Sequence, residues 1–345
     1  MPDPDYKLVL LWRSDLHLAD QAPQSRTDDW TSTLLGKAAQ VGELARQVKA
    51  QAVLDGGDFF HIKQPSRNSH ELVARVAALH DQYPCPVYAT VGNHDVKYGD
   101  IANLEQSPLG VLFSTGVFRR LYDQHEASFT CPQVPQGYPH VSSIPDPLEV
   151  KVRVVGVPYH GTKYDLNRLT TIVKKDEDWL VAVVHCLASP RGGSLFEGED
   201  VLKYGDLADL APDVWCLGHW HKDQGIQEIA PRKWVVNIGS MSRGSLSADE
   251  VGRTPACAVL SFTKQQVQIE HRPLDVRPAA EVFNLEGKQR ADSRQTALDT
   301  LVDNLRTVIL TREDRPSLLD AVRALDVPEP VKERAVAYLE KAGTR

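Results

Sequence analysis

Residues 6–12 form a short, nearly continuous apolar run, the pattern of a strand buried on both faces. Similar runs recur at 52–55, 86–91, 152–157, 180–185, 214–217, 234–238 and 256–262. Between the first of them, Leu34, Ala38, Val41, Ala45 and Val48 fall at three- and four-residue steps, as do Leu72, Val76 and Leu79. That spacing puts each set on one face of a helix. Strands alternate with helices early in the chain and follow one another closely later, which predicts a layered α/β sandwich with its helices outside. Polar, proline-rich stretches at 20–31, 130–148 and 188–205 interrupt the pattern, and loops of that length inside a compact domain tend to carry function.

The segment Arg-Pro-Leu-Asp-Val-Arg-Pro-Ala at 272–279 closes the last apolar run. Beyond it Leu298, Leu301, Leu305, Val308 and Ile309 form one apolar stripe and Val331, Ala335 and Leu339 another, while Pro316 suits a helix start. Two parts are therefore expected, a main domain over 1–274 and a small helical C-terminal appendage over 275–345.

Composition narrows the class. Of 345 residues, 42% are hydrophobic and 25% charged, values ordinary for a soluble globular chain. No apolar run is long enough for a spanning helix, and the amino terminus lacks the basic and apolar regions of a signal peptide, so a cytoplasmic protein without a membrane segment is expected. The five cysteines are scattered and never form Cys-x-x-Cys, which argues against a disulfide framework or a structural zinc site. A net charge of −7 excludes a uniformly basic coat. Affinity for nucleic acid would have to come from a local patch, a metal site or a partner.

The chemistry sits at the ends of the apolar runs. Asp15 and His17 follow the first, Gly57, Asp58 and His61 the second, and Gly92, Asn93, His94 and Asp95 the third. His185 ends a later run, and His219 and His221 follow another. Ligands of open α/β sheets gather at the carboxyl ends of strands, so these five clusters are expected to converge on one crevice. Carboxylate, imidazole and amide oxygen together suit Mn²⁺, Fe²⁺ or Zn²⁺. Two such ions about 3.5–4 Å apart can clamp a phosphate and acidify a water. A lone Asp-x-His or His-x-His is ordinary decoration; five suitable clusters in order, each directly after an apolar run, argue for a site. No glycine-rich phosphate loop and no Gly-x-Ser-x-Gly elbow occurs, so a metal-activated water is the better nucleophile.

The ordered set, Asp-x-His, Gly-Asp, Gly-Asn-His-Asp, His and Gly-His-x-His between Asp15 and His221, resembles the calcineurin-like metallophosphoesterase superfamily. The resemblance implies a four-layer αββα sandwich and two divalent metal ions, with Mn²⁺ expected. It assigns Asp15, His17 and His221 to one ion, Asn93, His185 and His219 to the other, and Asp58 to a bridge between them. His94 would face the phosphate as acid or transition-state stabiliser, and Asp95 would orient it from behind. Three residues after Asp58 comes His61, the Gly-Asp-x-x-His form that resembles the nuclease subunit of the SbcD type, where the extra histidine lies near the scissile phosphate and supports exonuclease action. Segments 239–243 and 156–159 also resemble elements of that family.

What this implies is a metal-dependent DNA nuclease of repair or recombination, an exonuclease with single-strand endonuclease action as a second activity. Its expected partners are DNA, an SbcC-type coiled-coil ABC ATPase docking near 331–343, and a second copy of the chain as a homodimer. Expected substrate contacts are Arg26 in the first polar loop, Arg191 in a flap at 188–205, and Arg243; Arg13, Lys63, Arg67 and Lys97 are further basic candidates near the motifs. The alternatives are a small-molecule phosphodiesterase or phosphatase of the same superfamily, and a non-catalytic phosphate-binding scaffold, though no ligand of the set is missing.

Overall fold

All eight apolar runs become strands, and four further strands, each at a sheet edge, complete two six-stranded sheets. The computed structural model describes residues 7–61, 68–131, 149–193, 198–285, 287, 318–323, 329 and 332–337. The first sheet contains β1 (Leu8–Arg13), β2 (Ala52–Asp55), β3 (Val87–Ala89), β4 (Phe118–Arg120), β13 (Ala256–Phe262) and β14 (Val267–Pro273), in the order β14-β13-β1-β2-β3-β4. The second contains β5 (Ala127–Cys131), β6 (Val150–Val157), β7 (Trp179–His185), β10 (Val214–Gly218), β11 (Gly225–Ala230) and β12 (Lys233–Asn237), in the order β11-β12-β10-β7-β6-β5. A two-stranded pair, β8 (Ala188–Ser189) and β9 (Leu202–Lys203), lies apart.

The strands that carry the motifs run parallel. Arg13 pairs with Asp55, Asp55 with Ala89, and Gly218 with His185, so the motif loops leave the sheets level with one another. Residues of β1 divide by period two. Leu8, Leu10 and Trp12 pack between the sheets with Leu54, Val181, Val183, Cys216 and Leu260, whereas Val9 and Leu11 face the opposite side. There they meet Leu34, Ala38, Val41 and Ala45 of α1 (Trp30–Gln47), and the same layer holds Leu72 and Val76 of α2 (His70–His80) and Leu109 and Leu112 of α3 (Pro108–Ser114). A third cluster, with Leu169, Tyr204, Leu207 and Trp215, covers the outer face of the second sheet. These layers make the αββα sandwich. Helix starts follow ordinary capping: Asp29 accepts from Ser32 N and Ser69 from Leu72 N.

Met1–Phe283 forms one compact unit and Asn284–Arg345 a second. The first reaches past residue 274 because Leu274, Val282 and Phe283 are buried and Thr27 N donates to Val282 O (3.1 Å). In the second, Leu318–Arg323 is a short helix. The stripe from Leu298 to Ile309, Pro316, Val331 and Leu339 lie outside the described residues, as do Lys63 and Arg67. Among the described residues no helix is long and apolar enough to cross a membrane.

Candidate metal centre

Main-chain hydrogen bonds tie the first two motif loops to each other and neighbouring segments to the motif loops. Asp15 N donates to Gly57 O (3.1 Å), His17 N to Asp58 O (2.9 Å) and Met241 N to Ser14 O (2.9 Å), while Tyr159 N donates to Val91 O (2.9 Å). Segments 239–243 and 156–159 are thereby drawn against the site. Asp15, His17, Asp58 and His219 adopt left-handed backbone angles, with φ of 57°, 52°, 51° and 86°. Such a conformation costs about 1–3 kcal/mol for a residue with a side chain and persists where surrounding bonds over-determine it. Here it turns four of the expected ligands inward at the strand ends. Two glycines make the approach possible: Gly57 has φ 87°, and a Cβ on Gly92 would collide with Asp58 Oδ1.

The expected ligands converge as two adjoining groups. Asp15, His17 and His221 present donor atoms within 4.8 Å of one another, and so do Asp58, His185 and His219. His17 Nε2 and His221 Nε2 are 2.8 Å apart, with Asp15 Oδ1 3.9 Å from each. Asn93 Oδ1 is 3.4 Å from His185 Nε2 and so joins the second group. Asp58 stands between them, its Oδ2 3.8 Å from His17 Nε2 and 3.4 Å from His185 Nε2. That oxygen is fully buried and accepts no hydrogen bond among the described residues. A buried carboxylate oxygen aimed at imidazole nitrogens of both groups, with mixed oxygen and nitrogen donors around it, fits two divalent cations sharing Asp58.

The remaining contacts hold the donors in place. His185 Nδ1 donates to Gly56 O (2.7 Å), which leaves Nε2 to face the centre. Asp15 accepts from Ser14 Oγ (2.5 Å) and His219 N (3.1 Å). Burial would raise Asp58, but the His185 and His17 rings outweigh it and hold the carboxyl well below its ordinary range. Burial likewise works against a charged His185, yet Asp58 prevails and raises that ring to about 9. Burial, with His221 beside it, keeps His17 well below 6.5 and therefore neutral, the form a metal ligand needs.

His61 and His94 lie at the mouth of the centre. Their rings stack at 4.7 Å and 28°, the His94 ring meets His17 edge-on at 4.8 Å, and His61 Nδ1 is 3.4 Å from His17 Nδ1. Both line a cavity of about 260 Å³ with His17, His221, Trp30 and Ser242. The Asp95 carboxylate accepts from three backbone groups, Asp58 N (2.6 Å), Gly92 N (2.9 Å) and Phe60 N (2.9 Å), and so braces the Asp58 loop. Asp58 Oδ1 in turn accepts from His94 N (2.6 Å).

The arginines depart from expectation. The Arg26 guanidinium is wholly buried, bonded to Asp28 (2.8 Å) and Arg243 O (2.9 Å) and flanked by Trp30 and Phe283 at 5.0 and 4.9 Å. Arg243 is 4% exposed and donates to Arg277 O (2.7 Å). Neither reaches a substrate from there; both brace the turn that carries Ser242 into the cavity. Arg13, buried on Asp55 at 2.7 Å, is equally structural. Arg191 is exposed on the connection between β8 and β9.

Sequence reasoning missed Glu199. Its Oε1 accepts from His219 Nε2 at 2.8 Å, and that contact lowers the carboxyl below its ordinary range. Carboxylate behind a ligating imidazole fixes the ring and raises its basicity. No spacing marks Glu199, because only the fold of the 188–205 loop brings it to the centre.

A family model described as calcineurin-like phosphoesterase matches residues 10–223. Among solved structures, TT1561 of Thermus thermophilus is similar over 77% of this chain and 99% of its own, with 11% identity and a TM-score of 0.42. A dimetal phosphatase from Danio rerio is similar over 78% of this chain and 100% of its own, with 12% identity and a TM-score of 0.44. No curated protein gives a significant sequence match.

Proposed function

Because the chain belongs to the calcineurin-like phosphoesterases, a family of metal-dependent hydrolases, we propose that its two-metal centre cleaves phosphodiester bonds of DNA in the manner of the SbcD-type nucleases. One observation carries the DNA reading: the additional histidine His61 stacks on His94 and lines the same cavity. Two divalent cations, Mn²⁺ by expectation, would be held by Asp15, His17 and His221 and by Asn93, His185 and His219 with Asp58 shared, supplying positive charge to the phosphate oxygens and acidity to a water.

The chain's own groups do the rest. His94 holds the proton that the departing 3′ oxygen requires, and His61 keeps the His94 ring in place while facing the same phosphate. Asp95 fixes the loop on which Asp58 and His94 depend. Arg26, Arg243 and Arg253 gather beneath the turn of Ser240 and Ser242 against two carboxylates, Asp28 and Glu250. A coiled-coil ABC-type ATPase, a second copy of the chain and a cytoplasmic setting belong to the same proposal.

Linear duplex DNA with Mn²⁺ is the test. Degradation from the ends is expected, and His61→Ala should depress it at least tenfold while leaving bound metal unchanged. A protein that hydrolyses small phosphodiesters yet leaves DNA intact, alone and with an ATPase partner, would remove the nuclease assignment.

A further inference from the structure

Beyond the cavity, one strained residue stands out. Tyr98 has φ 61°, a left-handed angle that a bulky aromatic side chain strongly resists. The turn is locked in that shape by Gly99 N on Val96 O (3.3 Å), Asp100 N on Lys97 O (3.3 Å) and Asn103 Nδ2 on Lys97 O (3.2 Å). Strain of this kind concentrates at functional positions, and four of the other left-handed residues are expected ligands of the metal centre. The consequence is an exposed ring: Tyr98 is 83% accessible, the highest value of any large hydrophobic residue among those described. Lys97 Nζ lies 4.9 Å from the ring centroid.

The turn abuts the metal centre. A Cβ placed on Gly99 would touch Asn93 Cβ at 3.7 Å and the Tyr159 ring at 3.6 Å. Beside it runs a groove of about 300 Å³ whose walls include Lys97, His70, Asn68, Asn103 and Gln106. No carboxylate lines this groove among the described residues, in a chain whose acidic residues outnumber its basic ones 46 to 39. The nearby Asp100 is turned to its own backbone, accepting from Ala102 N (3.0 Å). At its other wall Asn68 Nδ2 reaches His61 O at 3.5 Å, so the groove opens between the loops that carry His61 and His94.

An ammonium, an imidazole and three amides without a competing carboxylate suit a chain of phosphodiesters. An exposed aromatic face beside them suits an unpaired base, which stacks whatever its identity. We propose that Lys97, Tyr98 and this groove form a track for a single strand of DNA leading from the metal centre, with phosphates along the groove and a base on Tyr98. The proposal rests on the nucleic-acid reading of the centre and adds that the strand is unpaired where it crosses the turn.

The test measures binding of a short phosphorothioate oligothymidylate, and of the same backbone without bases, to the Mn²⁺-loaded protein across a salt series. The unaltered protein should prefer the base-bearing strand about tenfold. Tyr98→Ala should abolish that preference and leave the salt slope unchanged, whereas Tyr98→Phe should keep it. Lys97→Ala should instead lower the salt slope by about 0.7, the loss of one phosphate contact on a single strand. Tyr98→Gly separates binding from folding: glycine suits φ 61°, so the melting temperature should hold or rise while the preference disappears. Equal binding of both strands by the unaltered protein, or a preference that survives Tyr98→Ala, overturns the track and leaves the nuclease reading standing. Hydrolysis of small phosphodiesters with binding of neither strand overturns both.

Discussion

Asp58→Asn removes one charge at nearly constant volume from the point where both metal groups meet, and the structure sets the size of the effect. In the metal-free protein His185 rises from 6.5 to about 9, a difference of about 2.5 that corresponds to about 3 kcal/mol at 1.36 kcal/mol per pKa unit. Coulomb attraction over the 3.4 Å between His185 Nε2 and Asp58 Oδ2 gives about 5 kcal/mol at an effective dielectric of about 20. The burial of the ring opposes this and accounts for the smaller net figure. Because the folded-state pKa is raised, this stability is fully present below pH 6.5 and is lost as pH climbs through 9. His17 and His80, both held well below 6.5, are neutral in the folded chain and titrate only in the unfolded one, so above about pH 7 they add little to the slope.

Urea denaturation of chelated protein should therefore show a loss of about 2–3 kcal/mol between pH 7 and pH 9 from this pair. In Asp58→Asn that component should shrink sharply, since only Asp15 and the Gly56 carbonyl are then left to favour a charged His185 against its burial. Cysteine and other background titrations are common to both proteins and cancel in the comparison. An equal pH slope in the two proteins would refute the reasoning that Asp58 governs His185. The metal content of the same variant provides a second reading: both ions should be lost on dialysis against Mn²⁺, and retention of both would end the bridging role.

Three further outcomes follow from contacts already described. Glu199→Ala frees His219 Nε2, so one of the two ions should bind about 10–100-fold more weakly by calorimetry; two unaltered affinities would make Glu199 a bystander. Gly92→Ala drives a methyl into Asp58 Oδ1 and should lower stability by about 1–3 kcal/mol, seen as a melting temperature several degrees lower; an unchanged melting point would show that the loop relaxes freely. Arg26→Ala takes the buried guanidinium from Asp28, which keeps Arg277 (3.0 Å) and Thr33 (2.6 Å), and should destabilise the fold by about 1–3 kcal/mol, with DNA affinity of the folded fraction little changed. Weakened DNA binding at full stability would return Arg26 to the substrate surface.

The division between what was legible and what was not follows the two sheets. Their eight inner strands are buried on both faces, which forces near-continuous apolar runs, and every one of those runs is recognisable in the chain. The four unrecognised strands in them, β4, β5, β11 and β14, are all edges, where one side meets solvent and the sequence turns short or mixed, as in Val-Gln-Ile-Glu-His-Arg-Pro. The convergence of the expected ligands was legible for a related reason. A centre built at strand ends must place each donor within a few residues of an apolar run, and Asp15, His17, Asp58, Asn93, His185, His219 and His221, all so placed, do come together.

Groups that act through a loop or through burial carry no such mark. Arg26 and Arg243 look in sequence like any cations near a phosphate site, and only packing against Trp30, Phe283 and main-chain carbonyls makes them internal braces. Asp95 follows His94 directly, which invites a side-chain partnership, and nothing in the spacing announces that its carboxylate also accepts from the N–H groups of Asp58, Phe60 and Gly92. Glu199 and Tyr98 are the converse: nothing in Phe-Glu-Gly-Glu-Asp or Val-Lys-Tyr-Gly-Asp predicts a contact with His219 or an exposed ring on a turn that meets Asn93 through Gly99. Their placement arises from backbone that the motif loops hold in position, so these parts of the site are written in tertiary structure rather than in spacing.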